Sequence, residues 1–158
     1  MFFREPTSAH FMREIGKKIN LAPTSVRNNI KEMERADLIK IKELKPFNGF
    51  SANRDNEQFL FYKKVYNFYT LYGLKKKLIE SFHPKAIIVF GSYSRGEDIE
   101  TSDIDVLIIS KVKKEINLEK FEKEIMREIN ILVVDNLNKL DEKIQKKIRN
   151  GFMLYGEI

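Results

Sequence analysis

The chain has 158 residues, 42% of them hydrophobic and 33% charged, an ordinary globular composition with room for one good core or two small ones in tandem. The absence of cysteine excludes a disulfide framework and cysteine-based zinc sites. No uncharged apolar run is long enough to cross a bilayer, and the opening MFFREPT does not read as a secretory signal, so a cytoplasmic protein without a membrane partner is expected.

The net charge of +6 is unevenly held, with +7 in residues 1–80 and −1 in residues 81–158. A one-sided basic excess points to a polyanionic partner for the first half. There, SAHFMREIGKKINL places Phe11, Met12, Ile15 and Ile19 at helical spacing, which predicts one buried face. A second helix is predicted from Pro23 with Thr24 or Ser25 at its start and Val26, Ile30 and Met33 as its apolar stripe. LIKIKEL alternates Ile39 and Ile41 with lysines and predicts a half-exposed strand, KPFNG a turn, and FSAN a returning strand. Two helices followed by a hairpin make a winged helix-turn-helix over residues 1–56. Only MFFREP is left for the helix that normally precedes such a pair; Phe2 and Phe3 are the end of one, or a dimer partner or an upstream start completes it.

Residues 57–83 predict a helical connector with Gly73 as a break. Phe59, Tyr62, Val65, Tyr66, Tyr69 and Tyr72 recur on it at helical spacing, a stripe expected in a core or a subunit interface, and a homodimer is expected accordingly. Lys75–Lys77 read as a solvated face. From residue 84 the period changes. KAIIVF predicts a central strand, DIDVLIIS a second, NLEKFEKEIMRE a helix, INILVVD a third strand and NLNKLDEKIQKKIRN a closing helix stopped at Gly151. The whole is therefore read as α+β at the N-terminus and α/β, with a small mixed sheet, over residues 84–158.

One stretch of the second half carries chemistry. Asp103 and Asp105 stand two apart at the head of an apolar strand and so share a face. Like carboxylates in a poorly solvated place force one of them to protonate unless a cation intervenes, and hard oxygen ligands at this spacing suit Mg²⁺ or Mn²⁺. Upstream, with ten residues between, Gly91 and Ser92 follow a buried strand, where a glycine admits a ligand close to the backbone and the following amides can face an anion. A phosphate cradle beside a metal clamp is the equipment for a nucleoside triphosphate.

The run GSYSRGEDIETSDIDVLI resembles the signature of the DNA polymerase β-like nucleotidyltransferases. More closely it is similar to the minimal nucleotidyltransferases of prokaryotes, some of which are antitoxins of HEPN-type toxins; the likeness covers roughly residues 85–158. The resemblance implies that Gly91 and Ser92 hold the triphosphate of ATP or another NTP and that Asp103 and Asp105 bind the metal. Arg95 and Gly96 match the family's Arg-Gly, with Arg95 either touching substrate or fixing the loop by a salt bridge. Active members bring a third carboxylate from the next strand. Strand alignment puts Asn130 at that position, an amide that carries no charge and is no base. Glu128 shares the face of Asn130, and Asp135 has the opposite parity, as a loop residue. The winged helix ahead of the transferase also resembles an archaeal combination of the two modules.

The second N-terminal helix is the one expected to enter DNA, with Thr24, Arg27, Asn28, Lys31 and Arg35 on one face and Lys42 and Lys45 of the wing on the backbone. His10 and His83 are isolated and read as structural or surface residues, and Tyr93, beside Ser92, reads as a packing residue that could instead touch a nucleotide base. Two functions fit. One is transfer of a nucleoside monophosphate to a hydroxyl on a partner protein, such as a HEPN-type toxin. The other is a DNA-binding transcriptional regulator whose transferase-like domain senses nucleotide or docks a partner without turnover.

Overall fold

The computed structural model of the chain describes residues 1–157. Two compact units, Met1–Tyr62 and Lys63 onward, meet within a single helix. In the first unit α1 (Met12–Ile19) and α2 (Pro23–Arg35) precede an antiparallel hairpin of β1 (Ile39–Lys42) and β2 (Gly49–Ala52), with Ile39 opposite Ala52 and Lys42 opposite Gly49. α1 stops at Asn20, which adopts the left-handed conformation, and Pro23 opens α2 in its first turn, where an amide hydrogen is not needed. Val26 and Ile30 pack with Ile15, Ile39 and Phe50 as the core of this unit.

Two apolar patterns are buried less than their periodicity predicts. Only Ile15 of the α1 stripe is inside, while Phe11, Met12 and Ile19 are exposed. A two-turn helix that meets one other helix and a two-stranded hairpin has only its middle covered. Ile41 is exposed although Phe50, its partner across the hairpin, is buried, so the cover reaches β2 but not this end of β1. Phe11, Met12, Ile41 and the turn residue Phe47 line an open groove of about 1140 Å³. Residues 2–4 form a turn rather than the end of a helix. There Phe2 meets His10 edge-on at 5.0 Å and Phe3 lies 5.4 Å from Phe59. His10 is buried, with Nε2 2.8 Å from the Glu5 carbonyl oxygen, so its role is structural.

The helix that crosses the division is α3 (Glu57–Thr70), and α4 (Tyr72–Phe82) follows it. The break falls at the fully buried Leu71, not at Gly73, which lies inside α4. The aromatic stripe is not core: Phe59 is buried, but Tyr62, Val65, Tyr69 and Tyr72 are exposed, Tyr69 by 77%. α3 turns its polar side inward, with Lys63 and Asn67 each about 1% exposed or less.

The second unit is built on a four-stranded sheet in the order β5-β4-β3-β6, from β3 (Ala86–Phe90), β4 (Ile104–Ile109), β5 (Ile129–Val134) and β6 (Phe152–Gly156). β4 and β5 are parallel, joined through α6 (Glu119–Ile125), and the other pairings are antiparallel, so the sheet is mixed. A short helix, α5 (Gly91–Arg95), links β3 to β4. The predicted closing helix divides into a 3₁₀ turn at Leu137–Lys139 and α7 (Glu142–Arg149), whose first turn is capped by the Asp141 carboxylate accepting from the Ile144 amide at 2.9 Å. β6, which sequence reasoning missed, follows Gly151 and takes the free edge of β3.

Both faces of the sheet are covered. Ile87, Val89, Ile104, Val106 and Ile108 pack with Leu74, Leu78 and Phe82 of α4 and Ile125 of α6. Ala86, Ile88, Leu107 and Ile109 meet Ile148 of α7. By alternation Asp105 belongs to the α7 face. The orientation of α3 and α4 is testable by urea denaturation. Leu78→Ala is expected to cost about 2–5 kcal/mol, whereas Tyr69→Ser changes stability by no more than about 0.5 kcal/mol.

Candidate active site

The ends of β3, β4 and β5 converge on the two acids. Antiparallel register sets Phe90, the last residue of β3, opposite Asp105, and parallel register sets Asn130 beside Asp105 on the other flank. Gly91 has φ +77°, and a Cβ there would run into the Asp105 carboxylate. Glycine is therefore required twice over, for its backbone angle and because the acid occupies the space a side chain would need. The turn closes on itself through Ser94 Oγ, which donates to the Gly91 carbonyl at 2.9 Å, and through the Glu97 amide, which donates to the Ser92 carbonyl at 3.0 Å.

Asp103 is exposed and Asp105 half-buried. Burial first, and the charge of Asp103 second, hold the Asp105 carboxyl above the ordinary carboxylate value, and Lys147 of α7 opposes them. Asn130 Nδ2 donates to Asp103 Oδ2 at 3.2 Å. Among the described residues no third acid joins the pair in a metal-binding group. Glu128 is exposed just before β5 and lines, with Ser102, Asp103, Glu122, Lys123 and Arg127, a groove of about 570 Å³. Asp135 sits beyond β5 and pairs with Lys139 at 2.6 Å. Two adjacent carboxylates, one of them partly desolvated, fit Mg²⁺ or Mn²⁺, which is commonly held by one or two carboxylates with water and phosphate oxygens completing the shell.

Residues 71–153 match the family described as nucleotidyltransferase domain. The chain belongs to that family. Among curated proteins it is similar to "Putative protein adenylyltransferase MJ1215" of Methanocaldococcus jannaschii, 56% identical over 34 residues, 22% of this chain and 40% of that one. It is also similar to "Protein adenylyltransferase MntA" of Thermococcus cleftensis, 47% identical over 51 residues, 30% and 52% of the two chains. A longer match, to "Putative protein adenylyltransferase MJ0604" of M. jannaschii, is 35% identical over 68 residues, 43% and 66% of the two. The match thus spans about half the length of these relatives.

Other expected residues are placed as follows. Arg95 Nε pairs with Glu97 at 2.7 Å across the loop, which is the salt-bridge alternative. Tyr93 is buried with its hydroxyl 2.8 Å from Thr70 Oγ1, and burial pushes its ionisation well above the usual phenol range. Thr24, Arg27, Asn28, Lys31 and Arg35 are all exposed on α2; Lys45 is exposed in the hairpin turn, and Lys42 Nζ is engaged by the Thr7 carbonyl. Sequence reasoning missed Lys147, and it missed a buried cluster of Lys63, Asn67, Asp98 and Arg127. The signal available for the cluster was a lysine and an asparagine four apart, on one face of a helix whose other faces are aromatic.

The electrostatics of the pair give a sign. A carboxyl raised in the folded state favours the protonated form, so the stability it contributes is present at low pH and is lost as pH rises from the unfolded carboxylate range through the raised folded value. Asp105→Asn is therefore expected to raise the melting temperature of the metal-free protein at pH 7 and to leave it unchanged near pH 3. At this size each ~1 kcal/mol of change moves the melting temperature by roughly 2–4 °C. Calorimetry at the two pH values checks it, and a lower melting temperature at pH 7 contradicts it.

Proposed function

We propose that the chain binds ATP or a related NTP with a divalent cation and transfers the nucleoside monophosphate to a hydroxyl on a partner protein, as the antitoxin of a HEPN-type toxin. The observation that carries this reading is the apposition of the Asp103–Asp105 pair to the Gly91–Ser92 turn, with Asp105 opposite the last residue of β3. The protein adenylyltransferase names of its relatives support AMP as the group moved. In this reading Gly91 and Ser92 receive the triphosphate, Asp103 and Asp105 hold Mg²⁺ or Mn²⁺, and Arg95 braces the loop through Glu97. The bound cation would supply charge neutralisation at the α-phosphate and the leaving pyrophosphate. The acceptor oxygen bonds to the α-phosphorus as the bond to the β-phosphate oxygen breaks, and pyrophosphate departs. An amide at position 130 cannot take the hydroxyl proton, which falls to Asp103, Asp105 or water and makes transfer slow.

That hydrogen bond from Asn130 to Asp103 also favours a second reading, in which the domain binds nucleotide as a sensor or docks a partner with little or no turnover. In either reading the helix pair and hairpin of the first unit act as a winged helix on DNA. Support comes from the basic excess of residues 1–80 and from the exposed face of Thr24, Arg27, Asn28, Lys31 and Arg35, with Lys45 on the backbone. The exposed Val65, Tyr69 and Tyr72 suit a homodimer contact, and use of ATP would suit a cytoplasmic location.

The two readings separate with labelled ATP, Mg²⁺ and the product of the neighbouring gene. Label on that protein, absent with the Asp103→Ala/Asp105→Ala variant, is the expected result for the enzyme; tight ATP binding with no label at any enzyme concentration overturns it. Asn130→Asp, which restores a carboxylate, should raise the transfer rate about tenfold or more. For DNA, Arg27→Ala with Lys31→Ala should weaken binding and lower the slope of log K against log salt by about 2. An unchanged slope removes this face from the DNA contact.

A further inference from the structure

The most deeply buried charges of the second unit lie outside the pair of acids. Asp98, about 1% exposed, stands in the loop between α5 and β4. Lys63 Nζ of α3 reaches its Oδ2 at 3.0 Å, Arg127 Nη2 reaches the same oxygen at 3.4 Å, and Asn67 Nδ2 donates to its Oδ1 at 2.8 Å. The Asn67 amide also donates to the Tyr93 carbonyl at 2.8 Å, inside the α5 turn that begins with Gly91 and Ser92. Arg127 immediately precedes Glu128, whose carbonyl accepts from the Ile104 amide at 2.8 Å beside Asp103 and Asp105. Three separate segments that carry the candidate site are thus tied to one carboxylate.

We propose that Asp98 is a positioning residue for the nucleotide site: gripped by Lys63, Asn67 and Arg127, it holds the Gly91–Ser92 turn, the segment leading into Asp103 and the start of β5 in one mutual arrangement. The proposal rests on the nucleotide-binding reading of that site. Stability alone does not account for such a cluster. Stripping water from an ammonium, a guanidinium and a carboxylate is only partly offset by their attraction, and apolar residues of similar volume commonly serve the fold as well. Hydrogen bonds with fixed directions set the relative positions of the segments they join. α3 bears the consequence, turning Lys63 and Asn67 inward while Val65 and Tyr69 face out.

The test compares the full chain with two variants, Asp98→Asn and Lys63→Met/Asp98→Leu/Arg127→Met, by urea denaturation, amide hydrogen exchange and titration with a fluorescent ATP analogue and Mg²⁺. The triple variant is expected to unfold at a urea midpoint close to the parent's. Its amides over residues 91–103 should exchange at least tenfold faster, and its nucleotide affinity should fall at least tenfold. A purely structural cluster gives the opposite pattern, a lowered midpoint with affinity kept. Should the triple variant fail to fold, Asp98→Asn decides, with an expected threefold or greater change in both exchange and affinity. Parental exchange over 91–103 in either folded variant overturns the hold itself. Failure of the parent to bind the nucleotide overturns the reading on which the role rests, whatever the exchange shows.

Discussion

An aspartate held against the turn at Gly91 and another just ahead of the same strand repel each other unless something answers their charge. The second unit is arranged around that constraint. Asp105 lies against the turn at Gly91, where any side chain would displace it, and its partial burial raises the cost of its charge. Lys147 approaches from α7 on the same face of the sheet, and Asn130 brings a donor to Asp103 from the parallel neighbour β5. These answers are partial, since the Asp105 carboxyl still stands above its ordinary value. On the reading proposed above, that deficit is what a bound cation would answer.

The mixed sheet is what allows the three segments to meet. An antiparallel β3–β4 pair joined through α5 puts the glycine turn beside the head of β4, and the parallel β4–β5 pair puts the head of β5 there too. An all-antiparallel meander would have brought the tail of β5 to that end, and Asn130 would lie at the far edge. Topology thus selects which residue of β5 can influence the acids, and it selects the position two places after Glu128.

The local geometry of this region was legible in the sequence because it is written in short spacing. Gly91, Ser92, Asp103 and Asp105 lie within fifteen residues, the parity of a strand fixes which of them share a face, and strand alignment carried the argument to Asn130. What could not be read depended on distant partners. The aromatic spacing of α3 obeys the rule for a buried stripe, yet Tyr69 is exposed and Lys63 is inside, because Asp98 and Arg127, thirty-five and sixty-four positions later, make a polar interior habitable. Ile41 and Met12 failed in the reverse sense, since alternation and helical period name a face but not whether a layer covers it. β6 escaped notice because FMLYG is short and follows a helix, and only the open edge of β3 explains it.

The amide at position 130 has a physical advantage that a carboxylate would forgo. A third acid beside Asp103 and Asp105 would add a like charge to a pair already in deficit, and the metal-free fold would be less stable for it. Asn130 instead donates to Asp103 and draws off part of the repulsion. An amide is no base, so on the transferase reading proposed above the residue that steadies the metal-free protein would also be the one that slows transfer. Stability and chemistry are opposed at a single position, which is the usual relation in sites that crowd like charges.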